Sequence, residues 1–175
     1  AKRYYTRRDY MTLTVETGSG VSGADTYADV SYADTYLASM GYTIWEPLLT
    51  AEKEAALRMA ARYLDSKNYV GSRYIYGQWL AWPRNGAVFD GVFDIPVNSI
   101  PENIKRAQCE AAIRAAQGVL TADTNGGYVI EETIGKITKR YSDYTKSASK
   151  AMQVVEDLLK PVLNAGGNYH RVQRV

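Results

Sequence analysis

The sequence predicts a mainly α fold: a small bundle of about four helices with a two-stranded β-ribbon and extended N- and C-terminal arms. Three observations lead there. Apolar residues recur at steps of three and four in four separate stretches, which is the helical period. Residues 128–141 instead alternate around Gly135, as a ribbon does. Both ends are basic and carry no apolar stripe that could pack.

Composition sets the scale. The chain has 175 residues, 46% hydrophobic and 23% charged, which suits one domain with a modest core. The net charge of +2 is too weak to announce a nucleic-acid partner on its own. Its distribution says more: Lys2, Arg3, Arg7 and Arg8 crowd the start, and Arg171 and Arg174 lie near the end. Residues 1–10 therefore read as a basic arm or a remnant before a natural start at Met11, 11–163 as the folded body, and 164–175 as a second arm. No stretch has the apolar core of a signal peptide or the length of a membrane span, so no membrane partner is expected. Cys109 is the single cysteine, set among alanines at helical spacing, and reads as a small buried hydrophobe. Without a second cysteine no internal disulfide forms, which fits a reducing cytoplasm.

The elements follow in order. Thr12 to Thr17 alternates as a short strand, with Leu13 and Val15 on one face. Gly18, Gly20 and Gly23 match the spacing of a dinucleotide fingerprint, but no apolar helix or second parallel strand follows, so a flexible Gly/Ser loop is the better reading. Ser31 is placed to cap a helix to about Ser39, ended by Gly41. Ile44 and Trp45, in the next connector, are expected to pack on the core. Thr50 is placed to cap a helix over 51–66 with Ala56, Leu57, Ala60, Tyr63 and Leu64 as its apolar face. Arg58, Arg62 and Asp65 fall on the wetter side, and Arg58 and Arg62 form a basic stripe, either a solvated face or a contact surface. Pro101 opens a third helix running to about Leu120, with a seam of Ile104, Ala107, Ala111, Ala115 and Val119. A last helix starts near Ser149, with Met152, Val155, Leu158, Leu159 and Val162 as its face, and Pro161 kinks or ends it.

Between the second and third helices lies the loop 78–101. It holds Trp79, Trp82-Pro83-Arg84, Asn85-Gly86, Asp90-Gly91, Pro96 and Pro101. Proline bars a regular helix or central strand, and the two Gly dipeptides accept positive φ as tight turns. The tryptophans read either as a core plug or as interface anchors, and Arg84 as an ion-pair or interface group.

No phosphate-binding glycine loop, metal-spaced cluster or nucleophile elbow occurs, and the sole histidine, His170, lies in the C-terminal arm. Neither a metal, a cofactor nor an enzyme activity is expected. Binding or assembly remains, and the 15 tyrosines suit both protein interfaces and stacking on unpaired bases.

The order of pieces resembles the head–tail connector (adaptor) proteins of tailed bacteriophages. The resemblance runs through Leu13-Thr14-Val15-Glu16 with Gly18 and Gly20, Tyr36-Leu37 before Gly41, the helix from Ala55 to Leu64, Gln78 and Trp82-Pro83-Arg84. It continues with Asp90-Gly91, Ile100-Pro101, Ile104, Ala107, Glu110 and Ala111, Ile134-Gly135 and Leu158-Leu159. Members of this group also carry the label of DnaT-like single-stranded-DNA-binding proteins, which supplies the alternative function. The resemblance implies a virion protein at the head–tail junction, in the host cytoplasm before assembly. It implies a homo-oligomeric ring of twelve below the portal protein that extends the DNA channel toward the next neck, stopper or tail protein. Genomic DNA would pass without specific binding. On that reading Tyr169, His170, Arg171, Val172 and Arg174 form the portal-docking arm. Trp82 and Arg84, with Ile137, Lys139 and Tyr141 of the ribbon, make subunit contacts, and Arg58 and Arg62 face a neighbour or the channel.

Overall fold

The computed structural model describes residues 12–118, 131–134, 137–140 and 153–164. Among them are four α-helices: α1 Val30–Ser39, α2 Thr50–Asp65, α3 Glu102–Ala116 and α4 Gln153–Leu159, the last running into a 3-10 turn, Lys160–Val162. The helix α3 is the centre. Nine of its fifteen residues are buried, more than one apolar stripe supplies, because α2, α4 and α1 all pack on it. Ala107, Ala111, Ala112 and Ala115 allow those approaches, since alanine keeps neighbouring backbones close. Cys109 lies inside this packing, and burial pushes its thiol well above the ordinary range, so it is inert filling.

Gln108 sits in the same core with every polar atom used. Its Oε1 accepts the Tyr27 N–H at 3.0 Å, and its Nε2 donates to Thr26 Oγ1 at 2.6 Å and to the Leu57 carbonyl at 2.9 Å. One amide thus ties the N-terminal segment to α2 and α3.

The segment before α1 departs from expectation. Residues 12–17 form no strand; only Val15 bridges Thr26, in parallel. The Gly/Ser loop is held rather than loose. The buried Glu16 carboxylate accepts the N–H groups of Gly18 at 2.8 Å, Gly20 at 3.0 Å and Val21 at 2.7 Å. Gly18 lies at φ +108, and a Cβ there would meet the Asn98 carbonyl oxygen at 2.2 Å, so no other residue fits. Glu16→Ala strands three donors and is expected to cost about 2–3 kcal/mol in chemical denaturation. Glu16→Gln keeps the Oε1 acceptor that serves Gly18 and Gly20 and is expected to cost about 1 kcal/mol.

The helix ends show which side chains won. Asp29, not Ser31, caps α1, its carboxylate accepting the Tyr32 N–H at 2.7 Å. Asp29 stands one residue before the first helical turn, whereas Ser31 is already inside it. Gly41 follows the helix at φ +79, as its spacing predicted. Thr50 begins α2 instead of capping it, and Glu52 reaches back to the Leu49 N–H at 2.8 Å. In the connector Trp45 is buried but Ile44 is exposed. The indole Nε1 of Trp45 donates to Asp34, which also pairs with Lys53 at 2.9 Å.

Among the described residues three antiparallel strand pairs occur where one ribbon was expected. Ser72–Arg73 (β1) pairs with Arg84–Asn85 (β2), and Val88–Phe89 (β3) with Phe93–Asp94 (β4). The expected ribbon is Glu131–Ile134 (β5) with Ile137–Arg140 (β6), registered Ile134 to Ile137 and Glu132 to Lys139. Asp90 and Gly91, both at positive φ, make the β3–β4 turn.

The α4 segment is strapped down by a line of hydrogen bonds. Glu156 accepts from Tyr63 Oη at 2.7 Å and Lys67 Nζ at 2.5 Å. The Val70 N–H donates to the Val162 carbonyl at 3.0 Å, the Asp90 N–H to the Pro161 carbonyl at 2.9 Å, and the Asn164 N–H to the Asn68 carbonyl at 2.9 Å. Pro161 thus ends the helix in a 3-10 turn, which tolerates its missing donor.

Candidate functional site

The segment 69–84 divides into a buried clasp and an exposed crown. The clasp starts at Trp82, fully buried and edge-on to Tyr69 with ring centroids 5.7 Å apart. The Trp82–Pro83 peptide is cis. Tyr27 Oη donates to the Asp65 carboxylate, which also accepts the Ala81 N–H at 3.1 Å. The Trp82 N–H in turn donates to Tyr27 Oη at 3.2 Å.

Arg84 closes the clasp. Its Nε donates to the Val70 carbonyl at 2.7 Å, Nη1 to Ala81 at 3.1 Å, and Nη2 to Gly71 at 2.7 Å and Tyr69 at 3.4 Å. Four backbone carbonyls converge on one planar fork, which lysine could not serve. Burial, and secondarily the Arg73 charge, holds its pKa below the ordinary arginine value. Gln78 locks the loop from inside: Oε1 accepts the Ile75 N–H at 3.0 Å, and Nε2 donates to the Leu80 and Pro83 carbonyls at 2.8 and 3.0 Å.

The crown stands on this base. Tyr74, Ile75, Tyr76 and Trp79 are exposed; Trp79 shows 65% of its surface and Tyr76 all of it. Large apolar side chains on a fixed backbone lose little entropy when a partner covers them, which is the design of an interface anchor. Val92 and Phe93 on the β3–β4 hairpin add a second exposed apolar tip.

The sequence-predicted residues sort unevenly onto this arrangement. Trp82 lies in the core and has no surface to offer a neighbouring subunit. Arg84 spends its donors on its own backbone. The tryptophans therefore split: Trp82 is the plug, and Trp79, expected to pin the loop, points outward because Gln78 and Leu80 take the inward places. Arg58 is part of an ion network, 2.6 Å from Asp25 and 3.9 Å from Glu54, whereas Arg62 is exposed. Asp65 is turned inward to the clasp, not outward as its helical position suggested. Ile137 and Lys139 belong to β6. Residues 1–10, Val119, Tyr141, Met152, Tyr169, His170, Arg171, Val172 and Arg174 lie outside the described residues. The crown residues Tyr74, Ile75 and Tyr76 were not singled out from the sequence. Their signal was an aromatic cluster inside an otherwise polar segment, 68–77.

Most described cations are engaged internally. Lys53 pairs with Asp34, Lys67 with Glu156, Arg106 with Glu102 at 3.6 Å, and Arg114 with Glu110 at 3.1 Å. Buried Glu110 also accepts from Tyr42 Oη at 2.8 Å and Tyr36 Oη at 3.3 Å. Burial, followed by the Glu110 charge, lifts the Tyr36 hydroxyl to about 12. These tyrosines stay protonated donors, Tyr36 fastening α1 and Tyr42 the connector after it to α3.

Asp65 makes a pH prediction. Burial raises its pKa, against the lowering effect of its hydrogen bonds from Tyr27 and Ala81. A carboxyl raised in the folded state binds its proton more tightly there than when unfolded. Its ionisation therefore costs stability as pH rises through the carboxylate range, and that cost is absent at lower pH. Asp65→Asn keeps an oxygen acceptor and removes the charge. Its stability relative to the parent protein should climb as pH rises through and above the ordinary carboxylate range in urea titrations, and a constant difference contradicts this assignment.

Among the described residues no group of three or more His, Cys, Asp and Glu is placed to hold a metal, and no helix is long and apolar enough to cross a membrane. Residues 11–175 match the family described as "Putative DnaT-like ssDNA binding protein". No curated protein and no solved structure matches the chain. The chain belongs to this DnaT-like family.

Proposed function

We propose that this member of the DnaT-like family is an assembly subunit: an adaptor that forms a ring between the portal and the neck or tail of a tailed phage and extends the DNA channel. The observation that carries the reading is the crown, four large exposed side chains on a base fixed by Arg84 and Gln78. Closed rings need heterologous contacts, in which one face of each subunit meets a different face of its neighbour. Protruding aromatic anchors suit such a contact. Internally paired cations suit a channel subunit, which has no need to grip phosphate. The ring of twelve, the portal-docking role of residues 169–174 and the ribbon contacts of Ile137, Lys139 and Tyr141 belong to this proposal and rest on the sequence resemblance.

A second reading has its own support. The family description names single-stranded DNA, and it backs DNA binding more directly than it backs an adaptor ring. In that reading Tyr74, Tyr76 and Trp79 stack on bases, and exposed Arg73 supplies a phosphate contact. Salt separates the two. A protein that neutralises several phosphates loses roughly a thousandfold in affinity or more between about 50 and 200 mM salt. Anisotropy of a labelled single-stranded oligonucleotide should show only weak binding at either salt if the chain is an adaptor. Tight, salt-steep binding that Trp79→Ala abolishes establishes the DNA reading instead.

A further inference from the structure

Exposed apolar side chains gather at both ends of α2. The crown sits at its C-terminal end. Tyr69 Oη ties it there by donating to the Leu64 carbonyl at 3.0 Å, and the Ala81 N–H by donating to Asp65 at 3.1 Å. At the N-terminal end, the connector from α1 exposes Met40, Ile44 and Leu49, each by more than half of its surface. This second patch also has a fixed base. Trp45 is buried beneath it, its ring 5.7 Å from Lys53 Nζ, and its Nε1 donates to Asp34 at 2.7 Å. The sixteen residues of α2 hold the two patches about 24 Å apart, so they do not cover each other within one chain.

The patches carry opposite charge. Residues 66–89 hold three cations, Lys67, Arg73 and Arg84, and no acid. Lys67 and Arg84 are spent on Glu156 and on backbone carbonyls, and Arg73 is exposed beside the crown. Residues 39–52 hold two acids, Glu46 and Glu52, and no base. Glu52 reaches back to the Leu49 N–H, and Glu46 is exposed between Ile44 and Leu49. A crown against a second crown sets Arg73 against Arg73, and a connector against a second connector sets Glu46 against Glu46. Only the crossed pairing matches the charges as well as the apolar surfaces.

We infer that the crown of one copy seats on the α1–α2 connector of the next, Tyr76 and Trp79 against Met40, Ile44 and Leu49, with Arg73 opposite Glu46. The contact is heterologous, and because its two faces lie at opposite ends of α2 it repeats from copy to copy, as a ring requires. The inference rests on the proposed ring and supplies the second face that the crown needs.

Sedimentation velocity of the full chain and two double variants tests it. One variant carries Tyr76→Ser and Trp79→Ser, the other Ile44→Ser and Leu49→Ser, all at exposed positions. Each alone should stay monomeric at concentrations about thirtyfold above those at which the parent chain associates. Mixed in equal amounts they should form a dimer and nothing larger, since each keeps the face that the other lacks. Arg73→Glu and Glu46→Arg should each weaken association about tenfold, and the two together in one chain should restore it. Association of the connector variant alone overturns the inference and gives the crown another seat. A mixture that stays monomeric while the parent associates overturns it too, as does a charge swap that restores nothing. A parent chain that stays monomeric both alone and with portal rings contradicts the ring itself, and the inference with it.

Discussion

Trp82→Ala is expected to lower the free energy of unfolding by about 3–5 kcal/mol, a large share of the roughly 5–15 kcal/mol that holds a domain of this kind. Trp82 is fully buried, stacks edge-on with Tyr69 and anchors the network of Tyr27 and Asp65 through its backbone N–H. Truncation removes one of the two largest buried side chains and leaves a cavity beside Tyr69 that the close-packed core cannot fill without moving. Trp82→Phe sharpens the argument. The Trp82 Nε1 is buried with no hydrogen-bond partner among the described residues, so its loss sacrifices no bond. The phenylalanine variant should therefore lose clearly less than the alanine variant, by urea or guanidinium denaturation. Near-equal losses would mean that the indole edge makes a contact this account omits.

The second large effect is on binding. Tyr76→Ser combined with Trp79→Ser should weaken partner attachment by about a hundredfold or more, since central aromatic anchors typically contribute 2 kcal/mol or more each. Stability should stay within about 0.5 kcal/mol of the parent protein, because both side chains are solvent-exposed. This separation is what marks a contact residue. Trp82 should show the reverse pattern, with stability lost and attachment intact for whatever fraction remains folded.

Legibility from sequence followed pattern length. The helices α2 and α3 were readable because Ala56, Leu57, Ala60 and Leu64, and Ile104, Ala107, Ala111 and Ala115, recur at helical spacing over about two to three turns, and all are buried. Gly41 and the Asp90-Gly91 turn were readable because positive φ selects few residues. The pairs β1–β2 and β3–β4 were missed because two residues per strand carry no period. Residues such as Glu16 and Gln108 were invisible for another reason. Glu16 is satisfied by N–H groups of the loop that folds back on it, and Gln108 by groups from distant segments, and composition records neither. The sequence left Trp79 and Trp82 the same two readings, core plug or interface anchor, because both lie in one proline-broken loop with no period. What divides them is Gln78, whose amide turns the backbone between them. The crown followed only from coordinates: an exposed aromatic and a buried one look alike in a sequence.

The central proposal is that this chain forms a ring below the portal whose subunits meet through the crown. The direct test is negative-stain imaging, with co-sedimentation, of portal rings from the encoding virus mixed with the full chain or with the Tyr76→Ser, Trp79→Ser variant. The account predicts an added ring of density below the portal with the full chain and none with the variant. Bare portal rings in both samples, alongside salt-steep binding of single-stranded DNA by the full chain, would contradict it.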